Sequence, residues 1–231
     1  MSQTRFIRAL VPIALKDVFD QLVPSFEAET GYRVDQVHAL NPEMPKLIES
    51  GIAWDIVLSN PPYIERIVAA GSAKRMSHKA FARTPLAFGA LGPSAKPVAT
   101  TVSDISQLLL ASKTVAITEH GTSGGTFATL GEKLGISSQL KSRVVPLEGG
   151  GPMRTLLAGD VELAALPLTN IAPVDGVSVV GICPIGWDVH IDLSVCLNND
   201  AEKAASVLAD WLLSSERDQA LAKLGAKRLA P

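Results

Sequence analysis

Between Gly121 and Gly125 the chain reads Gly-Thr-Ser-Gly-Gly, after an apolar run (Val115, Ala116, Ile117) that stops at Glu119 and His120. An amphipathic segment follows, and Gly135 closes it. This order predicts a strand, a tight turn and a helix. The first N–H groups of a helix have no partner within it and sit at the positive end of its dipole, so such a turn suits an anion. Thr122, Ser123 and Thr126 would add hydroxyl donors beside Gly124 and Gly125. The same residues also serve as an ordinary cap, because Ser and Thr at helix starts and Gly in turns need no ligand. A second glycine turn, Gly149-Gly150-Gly151-Pro152, opens another helix start and adds Gly150 and Gly151 to the candidates. Tight packing of loop on helix explains glycine there equally well.

Three asparagines follow expected strands at the end where open α/β sheets bind ligands: Asn41, Asn60 and Asn170. Gly121-Thr122-Ser123-Gly124-Gly125 also satisfies G-x-S-x-G in the strand-to-helix setting of a nucleophile elbow. A serine hydrolase would further need a later His, for which His190 is the sole choice, and an acid from Asp160, Asp175 or Asp188. His190 falls in an alternating strand pattern, and no oxyanion loop of the HGGG type precedes Ser123, so the hydrolase ranks last. An isomerase would instead need donors for carboxylates and a base within reach of an acidified C–H. Its catalytic candidates are His120 and Lys16, with His38 and Arg83 as further cleft-side cations or bases. Each has a plain reading as a solvated or turn residue. Trp54, Trp187 and Trp211 read as core, with Trp187 able to border a cleft.

The elements that must position these residues alternate. Strands are expected at Phe6 to Val11, Arg33 to Ala39 and Asp55 to Ser59, with helices over Leu15 to Thr30, from Asn41-Pro42-Glu43 to Gly51, and from Pro61-Pro62 to Gly71. Val18, Phe19, Leu22, Val23 and Phe26 share one face of the first helix, and Pro24 should kink it. An apolar stretch from Phe81 to Leu91 lacks helical period and leads into a loop rich in Pro, Ser and Ala. The pattern then repeats: helix Ser103 to Ala111, strand Thr114 to Thr118, the glycine turn and its helix, strand Arg143 to Leu147, helix to Leu157, strand Glu162 to Leu166. Strands at Val177 to Ile182 and Ile191 to Leu197 are expected to return to the first lobe. A helix over Ala201 to Leu213 should turn Ala204, Val207, Leu208 and Trp211 inward, before a last helix from Ser215 to Leu224. The expected class is α/β with two Rossmann-like lobes joined by crossover strands: residues 1–84 and 190–231 in one, 85–189 in the other, and a ligand cleft between them.

Composition narrows the function. The chain has 231 residues, 47% hydrophobic, enough for a packed core. With 21 basic and 23 acidic residues intermingled and a net charge of −2, nothing marks a nucleic-acid binder. No apolar segment is long enough to span a bilayer. The two cysteines, Cys183 and Cys196, lack metal-site spacing, so no metal and no cofactor is expected, and each reads as a small apolar strand residue, with a single bridge between the two left open. Met1 to Leu15 shows no secretory signal, so the chain is expected to be cytoplasmic if Met1 is the native start, and periplasmic if a signal was removed.

The segments ALKDVFDQLVPSFEAETGYRV, IESGIAWDIVLSN, FARTPLAFGALGPS, AITEHGTSGGTFATLGEKLGI and PVDGVSVVGICP together resemble the solute-binding proteins of the molybdate-importer type, over nearly the whole chain. The resemblance implies the type II periplasmic-binding fold, one small ligand held where helix N-termini converge, and an ABC permease as partner for an exported binder. In that family serines follow the first two strands and a tyrosine follows a strand of the second lobe. Here those regions read Val11-Pro12-Ile13-Ala14, Leu40-Asn41-Pro42 and Leu166-Pro167-Leu168. The pattern is similar to a divergent branch that includes aconitate isomerase. An organic di- or tricarboxylate is therefore expected at least as readily as a metal oxyanion, with an isomerase of a small unsaturated carboxylate as the alternative.

Overall fold

The computed structural model describes residues 6–229, the side chain of Ile185 excepted. Residues 1–5, which open the stretch read above for a signal, and residues 230–231 lie outside it. In chain order the elements are β1 (Phe6–Pro12), α1 (Lys16–Thr30), β2 (Arg33–Ala39), α2 (Met44–Glu49), β3 (Ile56–Ser59), α3 (Pro61–Ala69), β4 (Lys79–Leu91), α4 (Val102–Ala111), β5 (Val115–Thr118), α5 (Thr122–Lys133), α6 (Ser137–Leu140), β6 (Val144–Leu147), α7 (Gly151–Leu157), β7 (Leu163–Pro167), β8 (Val177–Ile182), β9 (His190–Leu197), α8 (Lys203–Leu213), α9 (Asp218–Lys223) and β10 (Lys227–Arg228). The architecture is mixed α/β.

The chain divides into two units. The first takes in the described chain up to Arg83, Asp192–Lys223, and the described residues from Lys227 on. In it β1 pairs in parallel with β2 and with β3, and β3 pairs antiparallel with β9 from Ser59–Ser194 to Ile56–Leu197. The order is therefore β2-β1-β3-β9. Buried Val18, Phe19, Leu22, Val23 and Phe26 recur along one face of α1, as their spacing requires. The helix runs on through exposed Pro24 to Gly31, whose φ of 75° ends it in the left-handed conformation.

Thr84–Ile191 and Leu224–Ala226 form the second unit. Here β5 pairs in parallel with β6 and β7, while β4 runs antiparallel to β7 on one side and to β8 on the other. The first three strands thus take the same second-first-third order as in the first unit, followed by an antiparallel crossover strand. Phe88 on β4 and Phe127 on α5 meet edge to face in the core, centroids 6.4 Å apart.

Three readings need correction. Strand β8 stays in the second unit on β4 and does not return to the first; only β9 does. The α8 face is rotated: Ala204, Ala205, Leu208, Ala209 and Leu212 are buried, whereas Val207 and Trp211 are half-buried. Trp211 is held out because its Nε1 donates to Glu29 Oε2 at 2.6 Å and its ring carries the Arg217 guanidinium 4.3 Å from the centroid. Leu224–Ala226 groups with the second unit because Thr84 Oγ1 donates to the Gly225 carbonyl, 3.0 Å away.

Both cysteines are free and buried. Burial pushes the Cys183 thiol up to about 12 and also raises that of Cys196. Neither should therefore react with a thiol-disulfide reagent at pH 8 in the native protein, and both should react once guanidinium unfolds it. Stoichiometric labelling before unfolding would contradict this burial.

Candidate functional site at the glycine turn

In a sheet ordered second-first-third, ligands bind beyond the carboxyl ends of the first and third strands, where the winding reverses. In the second unit those ends are Thr118, which leads into the glycine turn, and Pro167, which leads into Leu168–Asn170. In the first unit they are Pro12, followed by the short turn Ile13–Leu15, and Ser59, followed by Asn60.

Helix α5 starts with Gly121 as N-cap, φ −89° and ψ 160°, and no side chain caps it. The Gly124 and Gly125 N–H groups both donate to the Gly121 carbonyl, at 3.1 and 3.3 Å. Ser123 differs from them. It is 6% exposed, yet neither its N–H nor its hydroxyl has a hydrogen-bond partner among the described residues. Its hydroxyl is not among the buried polar atoms that lack a partner, so both donors stand open, within reach of a ligand, at the positive end of a twelve-residue helix. Thr126 belongs less to this set than its sequence position suggested, because its hydroxyl donates back to the Thr122 carbonyl at 2.9 Å.

The two glycines of the turn do different work. A Cβ on Gly124 would lie 2.1 Å from the Thr118 carbonyl oxygen, so the glycine lets α5 press on the end of β5. Nothing lies within 4 Å of a Cβ on Gly125, which leaves that face of the turn open to a ligand. Gly151 is a packing glycine, 2.9 Å from Leu147 Cβ. Gly150 caps α7, and Arg154 Nη1 folds back to 3.2 Å from where its Cβ would be. That cation stands at the positive end of a helix, an unfavourable place that an anion would relieve. Sequence reading missed Arg154; an Arg four residues after a glycine N-cap was the available signal. Asn170 ends the turn after β7, next to fully buried Thr169, whose N–H donates to Thr84 Oγ1 at 3.3 Å.

In the first unit Asn41 is 5% exposed, and its Oδ1 accepts from Ser59 Oγ at 3.0 Å and from the Asn60 N–H at 3.1 Å. Because the Asn60 N–H can only donate, the amide orientation is fixed. The Asn41 NH2 group is left without a partner among the described residues. Asn60 is a clamp: its Nδ2 donates to the Asp192 carbonyl at 2.5 Å, and Arg83 grips the Asp192 carboxylate with two bonds of 2.5 and 2.7 Å. That pair corrects the reading of Arg83 as a cleft cation.

The catalytic candidates are poorly placed for proton transfer. Lys16 opens α1 half-exposed, and its ammonium donates to Asp20. That bond, aided by the charges of Asp20 and Asp17, holds its pKa above the ordinary lysine value, the wrong direction for a base. His120 is exposed in the turn before α5. Ser123 is a regular helical residue, whereas an elbow nucleophile is strained; Asp188 is the sole non-glycine residue of positive φ among those described. His38 sits on edge strand β2 with its Nδ1 buried and unpartnered. Trp187 is half-buried against the second unit's core. Among the described residues no cluster of His, Cys, Asp and Glu could hold a metal ion, and no helix is long and apolar enough to cross a membrane.

The periplasmic molybdate-binding protein of Azotobacter vinelandii superposes with a TM-score of 0.79 at 16% identity, covering 97% of this chain and 99% of that one. The sulfate-binding protein SubI of Mycobacterium tuberculosis gives 0.74 at 14%, covering 98% and 88%. PEB3 of Campylobacter jejuni, bound to L-phospholactate, gives 0.69 at 14%, covering 96% and 99%. At such identities these likenesses establish the fold. No curated protein matches the chain significantly. The family model of the bacterial extracellular solute-binding proteins matches residues 7–227, essentially the whole described chain, and the protein belongs to that family.

Proposed function

We propose that the protein binds a small organic anion, a di- or tricarboxylate in preference to a metal oxyanion, at the N-terminus of α5, and delivers it to an ABC permease. The observation that carries this is Ser123: a buried residue with both donors open, at the positive end of α5, beside the open face at Gly125. Arg154, in the same unit, is a further donor that a multi-carboxylate ligand could engage. The preference for carbon acids rests on which hydroxyls are present. The turn after β7 is Leu168-Thr169-Asn170, and its one hydroxyl, on Thr169, is fully buried, so a tetrahedral oxyanion would find few of the short donors it needs. Among proteins of this fold, the molybdate-binding protein, the sulfate-binding SubI and PEB3 bound to L-phospholactate span inorganic and organic anions alike.

Calorimetric titration with molybdate, tungstate, sulfate, citrate and both aconitate isomers at one ionic strength tests the reading. Tight molybdate binding without any carboxylate binding would overturn the ligand class, and no binding of any anion would overturn the site. Ser123→Ala should weaken the bound acid about fivefold, as loss of one neutral hydrogen bond does, with the melting temperature little changed. An unchanged affinity would remove Ser123 from the site.

A further inference from the structure

A cavity of about 420 Å³ lies wholly within the second unit, between α5, α6 and the edge strand β6. Its floor is one face of α5, from Gly124 through Phe127, Ala128 and Gly131 to Glu132, a run of about 12 Å along the helix. The groove exists because that face carries small residues. Gly131 is pinned close to α6, its Cβ position 3.2 Å from Ser137 Oγ, while exposed Ala128 stands midway with only a methyl, too small to fill the space. Ile117, Leu140 and Val144 supply apolar walls at the margin of the core.

The two ends differ in chemistry. Toward the start of α5 the lining is apolar, Ile117 and Pro146 beside Gly124. Where α5 meets α6 it carries Glu132, Ser137 and Lys141. Among the described residues neither Glu132 nor Lys141 makes a salt bridge, so one anion, one cation and a hydroxyl stand uncommitted at one end of an apolar trough. Cavities of this size, apolar with a few polar groups gathered at one place, are the usual form of small-molecule sites.

We infer that this groove binds an apolar α-amino acid, its ammonium at Glu132, its carboxylate at Lys141 and its side chain along Ala128 toward Ile117. The groove borders the glycine turn only through Gly124, and its occupancy stands or falls independently of the anion reading.

Calorimetry of the whole chain with L-leucine and L-phenylalanine tests the inference, with 4-methylpentanoate and 3-methylbutylamine as ligands lacking one head group each. Saturable binding of the amino acids is expected, with each truncated ligand about tenfold weaker or worse, since each loses a charged hydrogen bond. Ala128→Trp, at an exposed helix position, should abolish amino-acid binding while leaving the melting temperature and the anion titration unchanged. Glu132→Gln should weaken leucine but not 4-methylpentanoate. The inference is overturned if neither amino acid binds at millimolar concentration, if 4-methylpentanoate binds as tightly as leucine, or if Ala128→Trp binds leucine like the parent. Loss of leucine binding in Ser123→Ala would likewise overturn it, by moving the amino acid to the glycine turn.

Discussion

Gly124→Ala is expected to destabilise the protein by about 3 kcal/mol, the upper end of the usual cost of over-packing, and to abolish anion binding with it. The added methyl would sit 2.1 Å from the Thr118 carbonyl oxygen, a backbone atom in a strand paired on both sides, by β6 and by β7. Since β5 cannot yield, α5 must lift, and lifting it carries away the Ser123 donors. Gly125→Ala one residue on is the control. With nothing within 4 Å of the new Cβ, it should stabilise the free protein by about 0.5–1 kcal/mol, as alanine for glycine does inside a helix. If the anion approaches the open face of the turn, the same substitution will weaken binding while it raises the melting temperature. Thermal melts of both variants, with and without the best-binding carboxylate, separate the two effects. Equal melting temperatures for the two would contradict the packing described here.

Much of the fold was legible because its signals are local. The α1 face from Val18 to Phe26 follows from spacing, and Gly31 from the need for a left-handed residue at the helix end. Strand partners are not local. Val177–Ile182 has the composition of a strand wherever it pairs, and only the register on β4 places β8 in the second unit. The α8 face differs from the expected one because Trp211 has a polar atom to satisfy. Its indole N–H finds Glu29, a partner 182 residues away in the chain, and the ring covers Phe26 from the rim. Helix α6 was missed because four residues, Ser-Ser-Gln-Leu, are too few to show a period.

At the candidate site the sequence supplied the turn but not the division of labour inside it. Thr122, Ser123 and Thr126 are alike as hydroxyl donors on paper. Position in the helix then decides: Thr126 reaches back to the Thr122 carbonyl one helical turn behind it, and Ser123, in the first turn, has no helical residue four positions behind it. Asn41 and Asn60 likewise follow similar strands and do opposite things. Asn60 ties its amide to Asp192, while the fixed orientation of Asn41 turns its NH2 outward from the β2–β3 clamp. These distinctions depend on which atom sits opposite which, and no spacing rule contains that.

The second large effect is expected at Gly225, far along the chain from either glycine turn. Its φ is +83°, a conformation that costs an L-residue about 1–2 kcal/mol, and a Cβ there would lie 2.7 Å from Leu168 Cγ and 2.9 Å from the Leu168 carbonyl carbon. The Leu168 side chain can rotate away, but the carbonyl cannot, because it accepts from the Ile171 and Ala172 N–H groups at 3.0 and 2.9 Å. Strain and overlap together put Gly225→Ala about 2–5 kcal/mol below the parent protein in stability. The damage should centre on one place. The Gly225 carbonyl accepts from Thr84 Oγ1, and Thr84 Oγ1 in turn accepts from the Thr169 N–H, so moving residue 225 disturbs the turn Leu168–Asn170 beyond β7. Hydrogen exchange of the Ile171 and Ala172 amides should accelerate in the variant more than that of α1 amides such as Phe26. Uniform acceleration across both units would show that Leu224–Ala226 stabilises the chain as a whole and does not act through the end of β7.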